Sequence, residues 1–260
     1  MVIAVFLLSW FAFVYGFAIL FENMYLIPLW IVVGPIPALF FVLFFLLLNF
    51  PILKYTKFTN SYKRYLTSST AAFANHIALR LKIDVEGYEN VPKDGILTLF
   101  ANHKSYADPF IMMEVIKRPL TFTPKMGVYK LPLIGLWLKY LGAFPIDRTS
   151  DRNTAKAMVE AIKVVKEGMA MLIFPEGGIK DRNDIKMVAM RAGAYRVAMK
   201  AGADVLPISI QGTTDVKHRA PWRVTNIKVI IHPLKKYEDI KHLSTAELAD
   251  EMFTIINNHL

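Results

Sequence analysis

The sequence predicts an α/β domain with a mostly parallel sheet flanked by helices, preceded by an N-terminal apolar two-helix membrane anchor. Three observations carry this prediction. Two long uncharged stretches open the chain, short apolar runs then alternate with helix-like segments, and the polar motifs fall where those runs end.

The anchor comes first. Met1 to Phe21 holds no charged side chain, Asn23 to Leu53 holds none either, and Glu22 stands alone between them. The first 53 residues thus carry −1 and the remainder +11 of the formal net charge of +10. An uncharged helix of 21 residues is about 31 Å long, close to the thickness of a bilayer's hydrocarbon core. Leu26 to Leu48 is long enough as well, with Gly34, Pro35 and Pro37 expected to kink or break it. Residues 1–53 therefore read either as two spanning helices or as a helical hairpin dipping into one leaflet. A cleaved signal peptide fits poorly, because no basic residue precedes a first apolar run that is itself too long. Lys54, Lys57, Lys63 and Arg64 follow the second stretch. By the positive-inside tendency they place the domain that follows, residues 54–260, on the cytoplasmic side of the cell membrane.

Beyond the anchor, residues 58–81 mix aromatic and aliphatic positions with Lys, Arg and Thr and read as a helix. Ile96 to Ala101 is a buried strand by its short apolar run. Asp108-Pro109 suits a helix start, with Asp as cap and Pro at the first helical position, ahead of Phe110 to Ile116. Residues 152–167 place Ala155, Met158, Val159, Ile162 and Val165 on one stripe of an amphipathic helix. Met169 to Phe174 is a second strand, residues 189–201 a helix, Val205 to Ile210 a third strand and Ile227 to Ile231 a fourth. Thr245 to Ile256 closes the chain as a helix. In such sheets ligands bind beyond the carboxyl ends of the strands.

Chemistry concentrates in four segments. Asn102-His103-Lys104-Ser105-Tyr106-Ala107-Asp108 follows the first strand and enters a helix. On one ideal helix His103 and Asp108 would point about 140° apart, but a loop leading into a helix can fold them together. Asp108 would then fix the imidazole tautomer while the other ring nitrogen takes a proton from an alcohol. Gly142 to Arg148 ends in a guanidinium fork able to grip a phosphate through two donors. Phe174 to Arg182 places Gly177 and Gly178 in a tight turn after a strand, with Glu176 able to bond an acceptor or brace the loop. Lys180 and Arg182 are placed to meet an anion. Leu206-Pro207-Ile208-Ser209-Ile210 reads only as a strand, whose proline requires an edge or a bulge. Arg191 to Tyr195 reads as a helix start with a surface arginine. Cysteine is absent, which rules out disulfides and any cysteine acyl-enzyme, and no metal-ligand cluster is visible.

In this order the four motifs resemble those of the 1-acyl-glycerol-3-phosphate acyltransferase family of glycerolipid acyltransferases, over about residues 83–232. The resemblance implies that His103 and Asp108 form the catalytic pair. It also implies that Arg148 binds the acceptor's phosphate, and that Glu176 and Gly177 belong to the acceptor site with Lys180 and Arg182 nearby. It implies transfer of an acyl group from acyl-CoA or acyl carrier protein to the sn-2 hydroxyl of lysophosphatidate, with no further cofactor. The family usually continues Glu-Gly with Thr-Arg, where this chain has Gly178-Ile179. That difference keeps another lysophospholipid or a glycolipid acceptor as an alternative, beside a non-catalytic lipid-binding protein. With an apolar anchor beside it, the basic surface points to anionic membrane lipid as partner rather than nucleic acid.

Overall fold

The computed structural model describes residues 1–145, 151–179, 184–188 and 190–260, and for residues 151–155 the backbone alone. In chain order the helices of the N-terminal part are α1 (Val2–Phe21), α2 (Ile27–Val33), α3 (Pro35–Leu48), α4 (Phe50–Tyr55) and α5 (Ser61–Phe73). The remaining elements are β1 (Leu81–Glu86), β2 (Leu97–Ala101), α6 (Asp108–Val115), β3 (Leu120–Phe122), α7 (Met126–Tyr129), α8 (Ile134–Tyr140), α9 (Asp151–Lys166), β4 (Ala170–Ile173), α10 (Arg196–Ala201), β5 (Asp204–Gln211), β6 (Thr225–Ile231), α11 (Tyr237–Ile240) and α12 (Thr245–Asn257).

The first apolar stretch forms a helix of the expected length, whereas the long helix of the second runs over Pro35–Tyr55 instead of Leu26–Leu48. Val2–Phe21 and Pro35–Tyr55 are each long and apolar enough to cross a membrane, and most of their surface is not covered by the protein. The break between α2 and α3 falls at Gly34, where the two following prolines remove backbone donors. Trp10 Nε1 donates to Ile31 O at 3.1 Å, tying α1 to the second stretch. Phe6, Val42 and Leu53 of this layer pack with Leu66 of α5 and Leu141 beyond α8. Lys63, one of the four cations read as marking the cytoplasmic side, is buried. Its ammonium donates to Thr56 O at 3.0 Å and Tyr140 O at 2.8 Å. Loss of water around it lowers its pKa to about 8.

The domain is three layers deep. Its six-stranded sheet runs β1-β6-β5-β2-β4-β3, with β5–β6 the one antiparallel pair. Period-two alternation sorts the side chains between faces. Leu97, Leu99, Leu172, Leu206 and Ile208 join Ile111 and Met112 of α6 on one face. Phe100, Met171 and Val205 join Val165 of α9, Val197 of α10 and Met252 of α12 on the other. α12 starts where a capping box predicts, with Ser244 Oγ accepting from Glu247 N and Glu247 Oε2 accepting from Ser244 N. Ser209 Oγ donates to Ile256 O at 3.1 Å, so its 2.8 Å contact to His232 Nε2 is donated by the imidazole. Burial, helped by the nearby His259, pushes the His232 pKa down to about 4.

Several sequence expectations shift. The helix expected over 58–81 ends as α5 at Phe73, continues as a wider turn over Ala74–Ala78, and gives way to β1. β1 and the three-residue β3 have weak sequence signals, since β1 alternates with charged positions and β3 is very short. The helix expected over 189–201 contracts to a tight turn at Ala192–Tyr195 followed by α10, because Arg191 N bonds to Pro175 O instead of a helical carbonyl. Pro207 lies inside the sheet, not at an edge. Between the Ile208↔Ile231 pair and the Val205↔Lys235 bridge the β5–β6 register slips by one residue, which is the bulge that a mid-strand proline requires.

Candidate active site

The site is built at the carboxyl end of β2, the third strand in from the β3 edge. The first residue past the strand, Asn102, uses its amide as a clamp. Its Oδ1 accepts from Ile210 N at 2.7 Å and its Nδ2 donates to Ile210 O at 2.8 Å. This replaces the ladder that β2 gives up and lets the chain leave the sheet with its polar groups paired.

His103 and Asp108 meet. Nδ1 of His103 lies 2.9 Å from Asp108 Oδ2. A carboxylate can only accept, so Nδ1 carries the hydrogen and Nε2 is left as the proton acceptor. The same Oδ2 accepts from Lys104 N and Ser105 N, both at 2.8 Å, so the loop between the pair wraps around one oxygen. This departs from the expected cap. Ala107 holds the cap position, Asp108 is the first residue of α6, and its carboxylate turns back into the loop instead of closing the helix end. There it sits fully buried at the positive end of the helix. Its Oδ1 has no hydrogen-bond partner among the described residues. The His103 ring stacks on Phe174 with centroids 4.1 Å apart and planes 16° apart, which fixes its plane while 14% of the side chain stays exposed.

The loop after β4 supports this pair from beside. Glu176 Oε1 accepts from His103 N at 2.7 Å, and Oε2 lies 3.2 Å from Lys104 Nζ. Lys104 Nζ also donates to Lys186 O at 2.7 Å. Glu176 and Lys104 are 3% and 2% exposed, so this is a buried ion pair joining the β2 and β4 loops. Of the two roles the sequence allows Glu176, both of its oxygens are committed to bracing. Lys104, Asn102 and Phe174 are supporting residues that motif reading passed over. The sole sequence signal was their position within or beside the motifs. Gly177 adopts φ +76°, a left-handed conformation costly for other residues. A side chain there would also meet the Arg191 guanidinium, whose Nε lies 2.7 Å from the Cβ position. Arg191, read from sequence as a surface residue, thus lies over the glutamate–glycine turn. Arg148, Lys180 and Arg182 fall outside the described residues. Among the described residues no three His, Asp or Glu side chains gather where they could hold a metal ion.

A histidine held by a buried aspartate at a strand's carboxyl end, in a loop locked by an internal ion pair, defines an α/β protein equipped to take a proton from a hydroxyl. Comparison with known proteins gives the family. The model of the family described as Acyltransferase matches residues 82–211, half of the chain, and the protein belongs to this family. The match spans the elements from β1 to β5 and both site loops, in agreement with the resemblance carried by the motifs. The chain is 30% identical over 156 residues to the 1-acyl-sn-glycerol-3-phosphate acyltransferase of Borreliella burgdorferi, covering 59% of this chain and 62% of that protein. It is 25% identical over 186 residues to the protein of the same name from Bacillus subtilis, covering 71% and 89%. Among solved structures, the 1-acyl-sn-glycerophosphate (LPA) acyltransferase PlsC of Thermotoga maritima superposes with a TM-score of 0.64 at 25% identity, covering 76% of this chain and 79% of that one. The chain spans less than two thirds of the length of several curated relatives, 43% in the case of a chloroplast enzyme from Arabidopsis thaliana.

Proposed function

We propose that this protein is a membrane-anchored 1-acyl-glycerol-3-phosphate O-acyltransferase. It would move an acyl group from a thioester, acyl-CoA or acyl carrier protein, to the sn-2 hydroxyl of lysophosphatidate, making phosphatidate for phospholipid synthesis. The observation that carries the reading is the 2.9 Å His103–Asp108 contact, which leaves Nε2 as the base, in a chain whose family and named relatives do this chemistry.

His103 Nε2 takes the hydroxyl proton as the oxygen attacks the thioester carbonyl. Asp108 holds the ring in the required tautomer and offsets the charge that develops on it. The carbon–sulfur bond then breaks, the thiolate leaves with the proton held on His103, and an ester and a free thiol result. The chemistry asks for no covalent acyl-enzyme and no bound cofactor. Glu176 and Lys104 act as positioning residues that hold the His103 backbone against the β4 loop. Arg148, Lys180 and Arg182 supply cationic donors for the acceptor's phosphate. The apolar helices and the cations that follow them support a cell-membrane location with the domain on the cytoplasmic side.

The Gly178-Ile179 pair in place of Thr-Arg supports a second reading, in which the acceptor is another lysophospholipid or a glycolipid precursor. A panel separates the two. Purified protein is given labelled acyl-CoA or acyl carrier protein with lysophosphatidate, other lysophospholipids, or a monoacylated glycolipid. Preferred turnover of lysophosphatidate is the expected result. Preference for another acceptor gives the second reading, and turnover of none refutes both.

A further inference from the structure

The α7–α8 segment presents an apolar surface that the chemistry above does not use. Val128, Leu131, Leu133, Ile134 and Leu136 are between 40% and 51% exposed, and Leu131-Pro132-Leu133-Ile134 is an unbroken exposed run. A soluble domain has no reason to hold four consecutive apolar residues in water. The turn is also conformationally costly. Leu133 has φ +62° and ψ −48°, a region a leucine rarely adopts. Gly135 lets α8 approach α7 so closely that a Cβ would fall 2.0 Å from Tyr129 O. The fold therefore sustains a strained, tightly crossed turn whose outer side is greasy.

Its location names the occupant. The inner side of α8 rests on α4, the last part of the Pro35–Tyr55 apolar helix. Phe50 and Tyr140 meet edge to face at 5.9 Å, and Leu141 is buried with Leu53. α8 thus lies at the level where the apolar helix gives way to Lys54 and Lys57, the depth of a membrane surface. From Val115 to Ile146 the sequence has no Asp or Glu but carries Lys117, Arg118, Lys125, Lys130 and Lys139. The last three are exposed. Apolar side chains ringed by lysines suit an anionic leaflet. Finally, β3 runs parallel to β4 and β4 to β2, so the chain enters α7 from the same end of the sheet as His103, with β3 about 10 Å from β2 across two strand spacings.

We propose that the α7–α8 turn is a second membrane-contacting element, which inserts Leu131, Leu133 and Ile134 into the anionic leaflet that takes the N-terminal helices. It rests on reading those helices as a membrane anchor. The turn seats the catalytic edge of the sheet on the bilayer, so that an acceptor whose tail stays in the leaflet presents its hydroxyl to His103.

The chain has no cysteine, so Leu133→Cys offers a single thiol for a polarity-sensitive dye. The full-length protein is reconstituted into phosphatidylglycerol–phosphatidylcholine vesicles, with and without nitroxide-labelled acyl chains. Glu89→Cys, exposed beyond the end of β1 at the opposite sheet edge, is the control. The dye at position 133 is expected to shift to the blue and be quenched by the nitroxide, while that at position 89 stays water-like and unquenched. A water-like signal at 133 overturns the proposal. So does a blue shift without lipid quenching, which would mean that protein, not lipid, covers the turn. Leu131→Ser, Leu133→Ser and Ile134→Ser combined should lower turnover of vesicle-borne acceptor about tenfold, leaving turnover of detergent-dispersed acceptor within about twofold. An equal loss in both overturns the seating role. The dye reading needs no turnover, so an inactive protein would refute the proposed enzyme without touching this result.

Discussion

Asp108→Asn isolates the central electrostatic contact with the least disturbance. The carboxylate oxygen Oδ2 accepts from His103 Nδ1, Lys104 N and Ser105 N at 2.8–2.9 Å. An asparagine oxygen in the same place keeps the two backbone donors paired but loses the charge. Hydrogen bonds to charged groups contribute about 1.5–3 kcal/mol, against about 1 kcal/mol for neutral ones, so folding should weaken by only about 1–3 kcal/mol. Catalysis should suffer more. The amide oxygen still accepts from Nδ1–H but holds that tautomer less firmly than a carboxylate, and the imidazolium formed in the transition state loses its counter-charge. General-base catalysis is typically worth 10²–10⁴-fold, so kcat should fall by roughly that factor, or about 2.7–5.4 kcal/mol of barrier. Steady-state formation of labelled product in membranes gives kcat, and thermal unfolding of the same preparation gives the fraction folded. A folded Asn variant with undiminished kcat would refute the reasoning. Asp108→Ala is the poorer probe, because it strands two buried amides and mixes the two effects.

Three further outcomes follow from buried charge. Lys104→Met alone should cost about 3–5 kcal/mol of stability by leaving the Glu176 charge buried without its partner, whereas Lys104→Met with Glu176→Gln should recover part of the loss; urea unfolding of the single and double variants measures the coupling. His232 stays neutral in the fold down to about pH 4 but protonates near pH 6.5 when unfolded, so its stabilising contribution is intact above 6.5 and lost as pH falls towards 4. Thermal unfolding from pH 7 to 4 should show this loss, up to about 3 kcal/mol, and His232→Phe should flatten it. Lys63 follows the same sign at higher pH. Its folded pKa of about 8 lies below the ordinary 10.5, so the unfolded chain binds more protons between those values and stability should rise across that window. Lys63→Met should remove this rise, as unfolding at pH 7.5 and 10 would reveal.

Much of the architecture was legible because it rests on period and composition. The uncharged stretches, the runs that became β2, β4, β5 and β6, and the capped α12 each bury one face or all faces, and the hydrophobic pattern records that. β1 and β3 were not legible, since a strand that alternates with Lys82, Asp84 and Glu86, or that spans three residues, leaves little pattern. At the site, the His103–Asp108 pair could be read from a motif at a strand end. The brace could not. Lys104 and Glu176 lie 72 positions apart, and nothing local marks a lysine that will be buried. Asp108 likewise looked like a helix cap, because Asp before Pro is a common cap signal, and only the wrapped loop shows its oxygen turned the other way.

The sharpest measurement is acyl transfer by full-length protein carrying His103→Ala, in vesicles with lysophosphatidate and a labelled acyl thioester, beside the unaltered chain. Removing the base should cut the rate by at least about 10²-fold while the variant stays folded at the assay temperature. Undiminished transfer by the folded His103→Ala protein would contradict the assignment of this imidazole as the proton acceptor.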